Sequence, residues 1–249
     1  MKIEVKTISS GGEQDLRARF AELYRESPIP ANEQLANVGL FVKRQELTKT
    51  LFMNELYQKL LNVHGVMMEF GVRWGQNLVT LNNLRGIYEP YNYSRKLIGF
   101  DTFEGFPSVH EQDGKHDVIK KGAFSVTENY EEYLKEVLNY HEKECPLNHI
   151  HKNTLVKGDA VVQLESYLKA HPETIVAFAY FDFDIYEPTR RCLELLAPHL
   201  TKGSVVGFDE LCDPHFPGET QALKDVLGLQ NVRLQRFSYT GIQSYFIVE

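Results

Sequence analysis

Four carboxylates late in the chain follow apolar runs that read as strands: Asp182 and Asp184 in Asp182-Phe183-Asp184, and the adjacent pair Asp209-Glu210. In an open α/β sheet, ligands bind in the crevice beyond the carboxyl ends of the strands. Carboxylates gathered there repel one another unless a cation sits among them, and an all-oxygen donor set suits Mg²⁺ or Mn²⁺. The plain alternative is that some of them cap helices or face solvent. A second constellation lies earlier, in Glu69-Phe70-Gly71-Val72-Arg73-Trp74-Gly75. Strand, tight glycine turn and helix make the shape of a nucleotide-cofactor site. Gly71 lets the backbone turn sharply and approach a ligand, and Gly75 opens a helix whose first amides are free donors. The spacing is Gly-x-x-x-Gly, not the Gly-x-Gly-x-x-Gly of a dinucleotide pyrophosphate. A cofactor without phosphates, carrying an amino-acid end and a ribose, fits better, which points to S-adenosylmethionine. On this reading a side chain at position 71 should block the cofactor while the fold survives. Asp101, ending the next strand, is placed to accept both ribose hydroxyls. Asp159, in Gly158-Asp159-Ala160, either binds an adenine amino group or caps the helix that follows.

The elements that must position these groups alternate along the chain. Apolar runs at 65–70, 96–100, 154–157, 174–181 and 202–208 read as strands, and 232–237 and 243–248 as a terminal antiparallel hairpin turned at Tyr239-Thr240-Gly241. Helical spacing of apolar residues lies between them: Leu78, Leu81 and Leu84; Leu134 and Leu138, with Thr127 as a candidate cap; Leu164 and Leu168; Leu193 and Leu196 behind Pro188. Strands alternating with helices predict a doubly wound, mostly parallel sheet of seven strands. The run 174–181 is the most continuously apolar, as befits a strand covered on both faces. Residues 108–127 are polar, carry His110 and His116, and offer few apolar anchors, so they read as a lid or binding loop. Leu16, Phe20, Leu23 and Tyr24 suggest one amphipathic helix near the N-terminus, and Leu47, Leu51, Leu56 and Leu60 a second. Residues 1–62 are therefore expected to form a helical cap, and 63–249 the cofactor-binding domain.

Length and composition bound the partners. With 249 residues there is material for one decorated α/β domain. Twenty-seven basic residues face 34 acidic ones, a net charge of −7, with no long basic run, so nucleic acid and anionic membrane are poor guesses. Met1-Lys2-Ile3-Glu4-Val5-Lys6 lacks the apolar core of a signal peptide, and no stretch approaches the roughly 20 apolar residues of a membrane span. A soluble cytoplasmic protein acting on a small molecule is the expectation, with a homo-oligomer left open. Cys145, Cys192 and Cys212 are too scattered for a disulfide framework or a zinc site.

Together the motifs resemble a known family. Glu69-Phe70-Gly71-Val72 with Gly75, Gly99-Phe100-Asp101-Thr102-Phe103-Glu104-Gly105-Phe106-Pro107, Asp182-x-Asp184-x-Tyr186-Glu187-Pro188-Thr189 and Asp209-Glu210 look like the macrocin O-methyltransferase family. These are class I, metal-dependent sugar O-methyltransferases of natural-product pathways. The resemblance covers about residue 44 to the C-terminus, in motif order and spacing. It implies a Rossmann-like methyltransferase fold and a cofactor set of Glu69, Phe70, Gly71, Gly75, Asp101, Thr102, Phe103, Gly158, Asp159 and Ala160. Within that set Glu69, Gly71 and Gly75 would line the methionine end, Asp101 the ribose, and Asp159-Ala160 the adenine. Asp182, Asp209 and Glu210 would hold Mg²⁺. Two departures stand out. The family usually carries a second aspartate followed by tyrosine where this chain has Glu210-Leu211. His215 and Glu219 also lie where fewer ionisable groups are expected.

The implied reaction moves the sulfonium methyl of S-adenosylmethionine to an acceptor hydroxyl, which must be aligned and made nucleophilic. Candidates for the base are Asp182, Asp184, His110 and His116. Phe103, Phe106, Tyr186 and Phe216 are candidates to stack on a sugar. Two other readings compete: a glycosyltransferase holding a nucleotide-sugar diphosphate through Asp-x-Asp and a metal, and a non-catalytic relative that kept the cofactor fold. Motif order weighs against the first, because Asp-x-Asp here follows a complete cofactor half.

Overall fold

The computed structural model describes residues 10–249; what was expected of residues 1–9 lies outside the described part. The chain divides into two compact units between Lys49 and Thr50. In the first, helix α1 (Gly11–Arg25) starts at a reciprocal cap in which Ser10 and Glu13 satisfy each other's free amides. A one-turn helix α2 (Ala31–Gln34) and a 3₁₀ turn at Val38–Phe41 follow. The Phe41 ring packs against Tyr24 and Phe20, at centroid distances of 5.0 and 6.4 Å. Helix α3 (Arg44–Leu60) crosses the division. The division between the compact units thus falls inside this helix. Phe52, Met53, Leu56, Tyr57 and Leu60 are fully buried in one cluster with sheet residues Met67, Phe178 and Tyr180, so the end of α3 belongs to the sheet domain.

That domain is a six-stranded sheet in the order β3-β2-β1-β4-β5-β6. Strands β1 (Val66–Phe70), β2 (Leu97–Asp101), β3 (Asn153–Lys157), β4 (Val176–Phe181) and β5 (Leu200–Phe208) run parallel, and β6 (Ser244–Ile247) pairs antiparallel to β5. Helices α4 (Gln76–Tyr88), α5 (Tyr130–Lys143), α6 (Ala160–Ala170), α7 (Tyr186–Leu196) and α8 (Gly218–Val226) lie between them. The chain winds outward from β1 to β3, then returns to β4 on the other side of β1. This reversal opens a crevice at the carboxyl ends of β1 and β4, where ligands of such sheets bind.

Alternation along the central strands separates two cores. Met67, Phe178, Tyr180 and Val205 face α3, α4 and α5, while Met68, Phe70, Ala179, Phe181, Val206 and Phe208 face α6, α7 and α8. On the second face Phe100, Phe70, Phe181 and Phe208 stack strand to strand at centroid distances of 5.1, 4.9 and 5.3 Å. Each such pair adds about 0.5–1.5 kcal/mol beyond area burial. The ladder runs under the strand ends that carry the candidate site and holds them in register.

Three local expectations change. The seventh strand, 232–237, reduces to one bridge, Gln235 with Tyr245, whose two N–H···O bonds measure 2.8 and 2.9 Å. Ring packing holds the segment instead: Phe237 lies 5.2 Å from Tyr245 and 5.7 Å from Phe52, and Thr240 closes a tight turn onto the Phe237 carbonyl. The terminal antiparallel pair is therefore β5–β6 rather than a hairpin. Thr127 is not the N-cap: its carbonyl accepts the Tyr130 N–H at 3.2 Å, and α5 begins at Tyr130 behind Asn129, a left-handed residue, with no side-chain cap. Among the described residues no helix is long and apolar enough to cross a membrane.

Candidate active site

The cofactor half is built where β1 gives way to α4. Glu69, 1 % exposed, lies on the α3–α4 face of β1, between Gly99 of β2 and Tyr180 of β4. Gly71 follows with φ +91°, its N–H donating to the Phe100 carbonyl at 3.0 Å. A Cβ there would lie 2.0 Å from the Asp182 carbonyl oxygen. Gly71 is thus required by the protein's own backbone, because the cofactor turn presses directly on the turn that carries Asp182. The expectation that a side chain at 71 spares the fold is corrected on this ground. Gly75, at φ +79°, ends the turn, and no side chain caps α4, so its first-turn amides stay available to a ligand.

Asp101 ties the half together. Its Oδ2 accepts the Arg73 N–H at 2.7 Å and its Oδ1 the Phe103 N–H at 2.5 Å. Burial raises its pKa, against the lowering effect of these amides. The amides of Arg73, Phe103 and Val72 leave the carboxylate acceptor capacity for a further donor, the role a ribose hydroxyl would fill. Asp101→Ala should weaken binding of S-adenosylhomocysteine by about 1.5–3 kcal/mol. Unchanged calorimetric affinity in this variant would sink the ribose assignment.

Other motif residues are placed less directly. Phe70 turns its ring into the ladder on the opposite face, so it can offer a cofactor only its main chain. The Thr102 hydroxyl donates to the Gly105 carbonyl at 2.8 Å and accepts the Glu104 N–H, closing a local turn. Phe103 is buried with Leu134 and Leu138. Gly158 donates its N–H to the Asp101 carbonyl at 2.9 Å, which sets the 158–160 turn beside the end of β2. Asp159 caps α6, accepting the Val161 and Val162 amides at 3.0 and 3.2 Å, and Ala160 is buried in the core.

The carboxylate half adjoins this one. The Asp182 N–H continues the ladder to the Phe70 carbonyl, and its Oδ2 accepts from Asn77 Nδ2 of the cofactor helix at 3.4 Å. Asp209 Oδ1 accepts the hydroxyl of fully buried Tyr180 at 2.7 Å. Burial, with Asp209 and Asp182 nearby, keeps that phenol protonated far above its ordinary range. Glu219, in the first turn of α8, is 0 % exposed. Burial raises its carboxyl well above normal, and Asp184, Asp182, Asp209 and Glu210 raise it further. The five acids therefore share one electrostatic neighbourhood. Among the described residues, no three His, Cys, Asp or Glu side chains gather as a metal-binding group.

The loop 108–127 is better anchored than its sequence suggests. Asp113, 1 % exposed, accepts the His110 and Tyr186 amides, both at 2.6 Å, so it pins the loop to the start of α7. Val118 is buried, and Ala123 packs with Phe106 and Ile185. His110 Nδ1 accepts the Gln112 N–H at 3.2 Å and its ring lies on Tyr186. His116 Nδ1 accepts the Val118 N–H, and its ring meets His215 and Phe216. Both histidines thus pack on the loop itself and on the α7–α8 flank. Phe103, Phe106, Tyr186 and Phe216, the candidates to stack on a sugar, are each buried to 7 % exposure or less. Removing the Asp113 acceptor (Asp113→Ala) should cost about 0.5–2 kcal/mol, the scale of a lost helix cap. Amide exchange across 108–127 should rise accordingly; exchange no faster than wild type would contradict this anchoring.

Fold and crevice together define a class I methyltransferase: a parallel sheet with an antiparallel last strand, a glycine turn into α4, and an acid ending β2. No protein-family model and no curated protein matches the chain. Among solved structures it is similar to CalS11, calicheamicin methyltransferase, at 42 % identity and a TM-score of 0.94, covering 99 % of this chain and 97 % of that one. It is also similar to apo CalS11, described as a TDP-rhamnose 3'-O-methyltransferase of calicheamicin biosynthesis, at 40 % identity and TM-score 0.85, over 97 % and 96 % of the two chains. The O-methyltransferase NovP shares the fold at 19 % identity and TM-score 0.61, over 81 % of this chain and 80 % of that one. The chain belongs to the sugar O-methyltransferase family of natural-product biosynthesis that includes CalS11, as its motifs suggested. Membership in this family decides against the glycosyltransferase reading.

Proposed function

We propose that this chain transfers the methyl group of S-adenosylmethionine to a hydroxyl of a sugar, carried on a nucleotide or on a glycosylated natural product. The observation that carries the reading is the likeness to CalS11 over almost the full chain, at 42 % identity and a TM-score of 0.94. Asp101 and the uncapped first-turn amides of α4 hold the cofactor. Asn77 links that half to Asp182, so the carboxylate beside the cofactor helix is oriented by the helix itself. The methyl moves when an acceptor oxygen lies in line behind the carbon–sulfur bond. Asp182 takes the proton from that hydroxyl onto a carboxylate oxygen. Asp184, His110 and His116 are the other groups of the crevice and loop able to carry a proton onward.

Asp182, Asp184, Asp209 and Glu210 offer only oxygen donors, the type a hard dication takes, though among the described residues no three of them gather as a preformed site. Asp182 and Asp209, with Glu210, would hold Mg²⁺ or Mn²⁺, which when bound lowers the pKa of an acceptor hydroxyl. Restoring the shorter acid tests the third ligand: Glu210→Asp should be tolerated and Glu210→Gln should not, read as metal affinity by calorimetry as well as turnover. Equal metal affinity in both variants would remove Glu210 from the set. The acceptor class is tested by offering a nucleotide-linked deoxysugar and a glycosylated natural product side by side and following methyl gain by mass spectrometry. Gain on neither, with methylation of a non-sugar hydroxyl instead, would overturn the sugar assignment.

A further inference from the structure

Glu219 is a buried acid that the proposed reaction does not use, and its contacts are specific. Its Oε1 accepts the Phe183 and Asp184 amides at 3.0 and 3.3 Å, and its Oε2 accepts the Glu210 amide at 3.2 Å. One carboxylate therefore bridges the turn after β4, which carries Asp182 and Asp184, and the turn after β5, which carries Asp209 and Glu210. The first of these turns needs holding. Asp184 sits at φ +63°, a left-handed conformation that a non-glycine residue keeps only when its surroundings impose it. The helix bearing Glu219 presses directly on the same turn: a Cβ on Gly218 would lie 2.6 Å from the Tyr186 nitrogen and 2.7 Å from the Asp184 carbonyl oxygen. All three contacts need an acceptor, and a carboxyl group has an acceptor lone pair on each oxygen whether or not it carries a proton. An amide of the same shape has only one such oxygen.

We infer that Glu219 is a positioning residue for methyl transfer: it sets the spacing between the Asp182 and Asp209 turns from behind, without touching the reactants. The inference rests on the reading of the crevice given above. Placing a tie behind the acids, on α8, leaves their exposed faces to the acceptor. It also explains why an acid is tolerated among four others, since replacing it would free the amides of two turns at once.

Glu219→Gln is the informative variant because it keeps shape and burial. Its carbonyl oxygen can stay with the two amides of the β4 turn, which leaves its NH₂ facing the Glu210 N–H, donor against donor. The Glu210 amide should then exchange on the order of tenfold faster, as expected for a buried N–H that loses its acceptor. Phe183 and Asp184 should stay protected. Turnover should fall about 100-fold, the scale of a misplaced reacting group, while KM for S-adenosylmethionine stays within about twofold, since the cofactor lies on the other half of the crevice. A purely structural role would instead lower stability and leave kcat intact in the folded fraction. Glu219→Ala should exceed Glu219→Gln in both effects; if it does not fold, the isosteric variant decides alone. Unaltered exchange at Glu210, or kcat within twofold of wild type in folded Glu219→Gln, overturns the inference. A wild-type chain that binds S-adenosylhomocysteine yet methylates nothing overturns the functional reading and, with it, the catalytic half of this one.

Discussion

Asp182→Asn should lower turnover by about 10²–10⁴-fold, the range for loss of a general base, while affinity for S-adenosylhomocysteine stays within about twofold of wild type. The substitution is nearly isosteric, and its amide oxygen can still accept from Asn77, so geometry is retained and the charge alone is lost. Asp209→Asn makes the same change on β5. Its carbonyl oxygen can keep the Tyr180 hydroxyl, so any fall in turnover reports the missing carboxylate rather than a collapsed pocket. The pair separates the two roles assigned to these acids. A drop in both, together with weakened Mg²⁺ binding by calorimetry, supports a shared cation; full activity in excess EDTA, with no metal in the protein, removes the metal and leaves Asp182 as base. Wild-type turnover in Asp182→Asn would contradict the assignment of the base itself.

Gly71→Val is expected to be the most damaging single change. Residue 71 adopts φ +91°, and a Cβ would collide with the Asp182 carbonyl at 2.0 Å. Left-handed strain costs about 1–3 kcal/mol, and overpacking adds about 1–3 kcal/mol more. The loss should appear as a lower melting temperature together with abolished cofactor binding. Gly71→Ala should show the same two effects, because the collision begins at Cβ. Wild-type stability in either variant would mean that the close approach of the two turns is not needed.

The parts of the site legible in the sequence are those where one short motif fixes local geometry. Glu69 through Gly75 reads as strand, turn and helix because the glycines punctuate an apolar run, and Asp101 stands out as the acid ending the next strand. The parts that were not legible depend on partners distant in sequence. Tyr180 is hidden inside the apolar run of β4, and only the fold sets its hydroxyl against Asp209, 2.7 Å away. Asp113 looks like one more polar residue of a loop until β4 and α7 place the Tyr186 amide in its reach. Glu219 was visible only as an unexpected charge, because its role needs two turns from different strands. The segment 232–237 has the alternation of a strand, yet ring packing of Phe237 and the Thr240 turn leave it a single bridge. Position 71 was read correctly as a place for glycine, but for the ligand's sake; the nearer constraint is the protein's own backbone.

Methyl transfer from S-adenosylmethionine to a sugar hydroxyl is tested most directly by following the methyl group itself. The purified chain is incubated with S-adenosylmethionine labelled in its methyl group and a nucleotide-linked deoxysugar, with Asp182→Asn in parallel. Label should appear on a sugar oxygen, one methyl per molecule of S-adenosylhomocysteine formed, and the variant should bind the cofactor but form labelled sugar at least about 100-fold more slowly. Label on carbon or nitrogen, or equal labelling by wild type and variant, would contradict this reading.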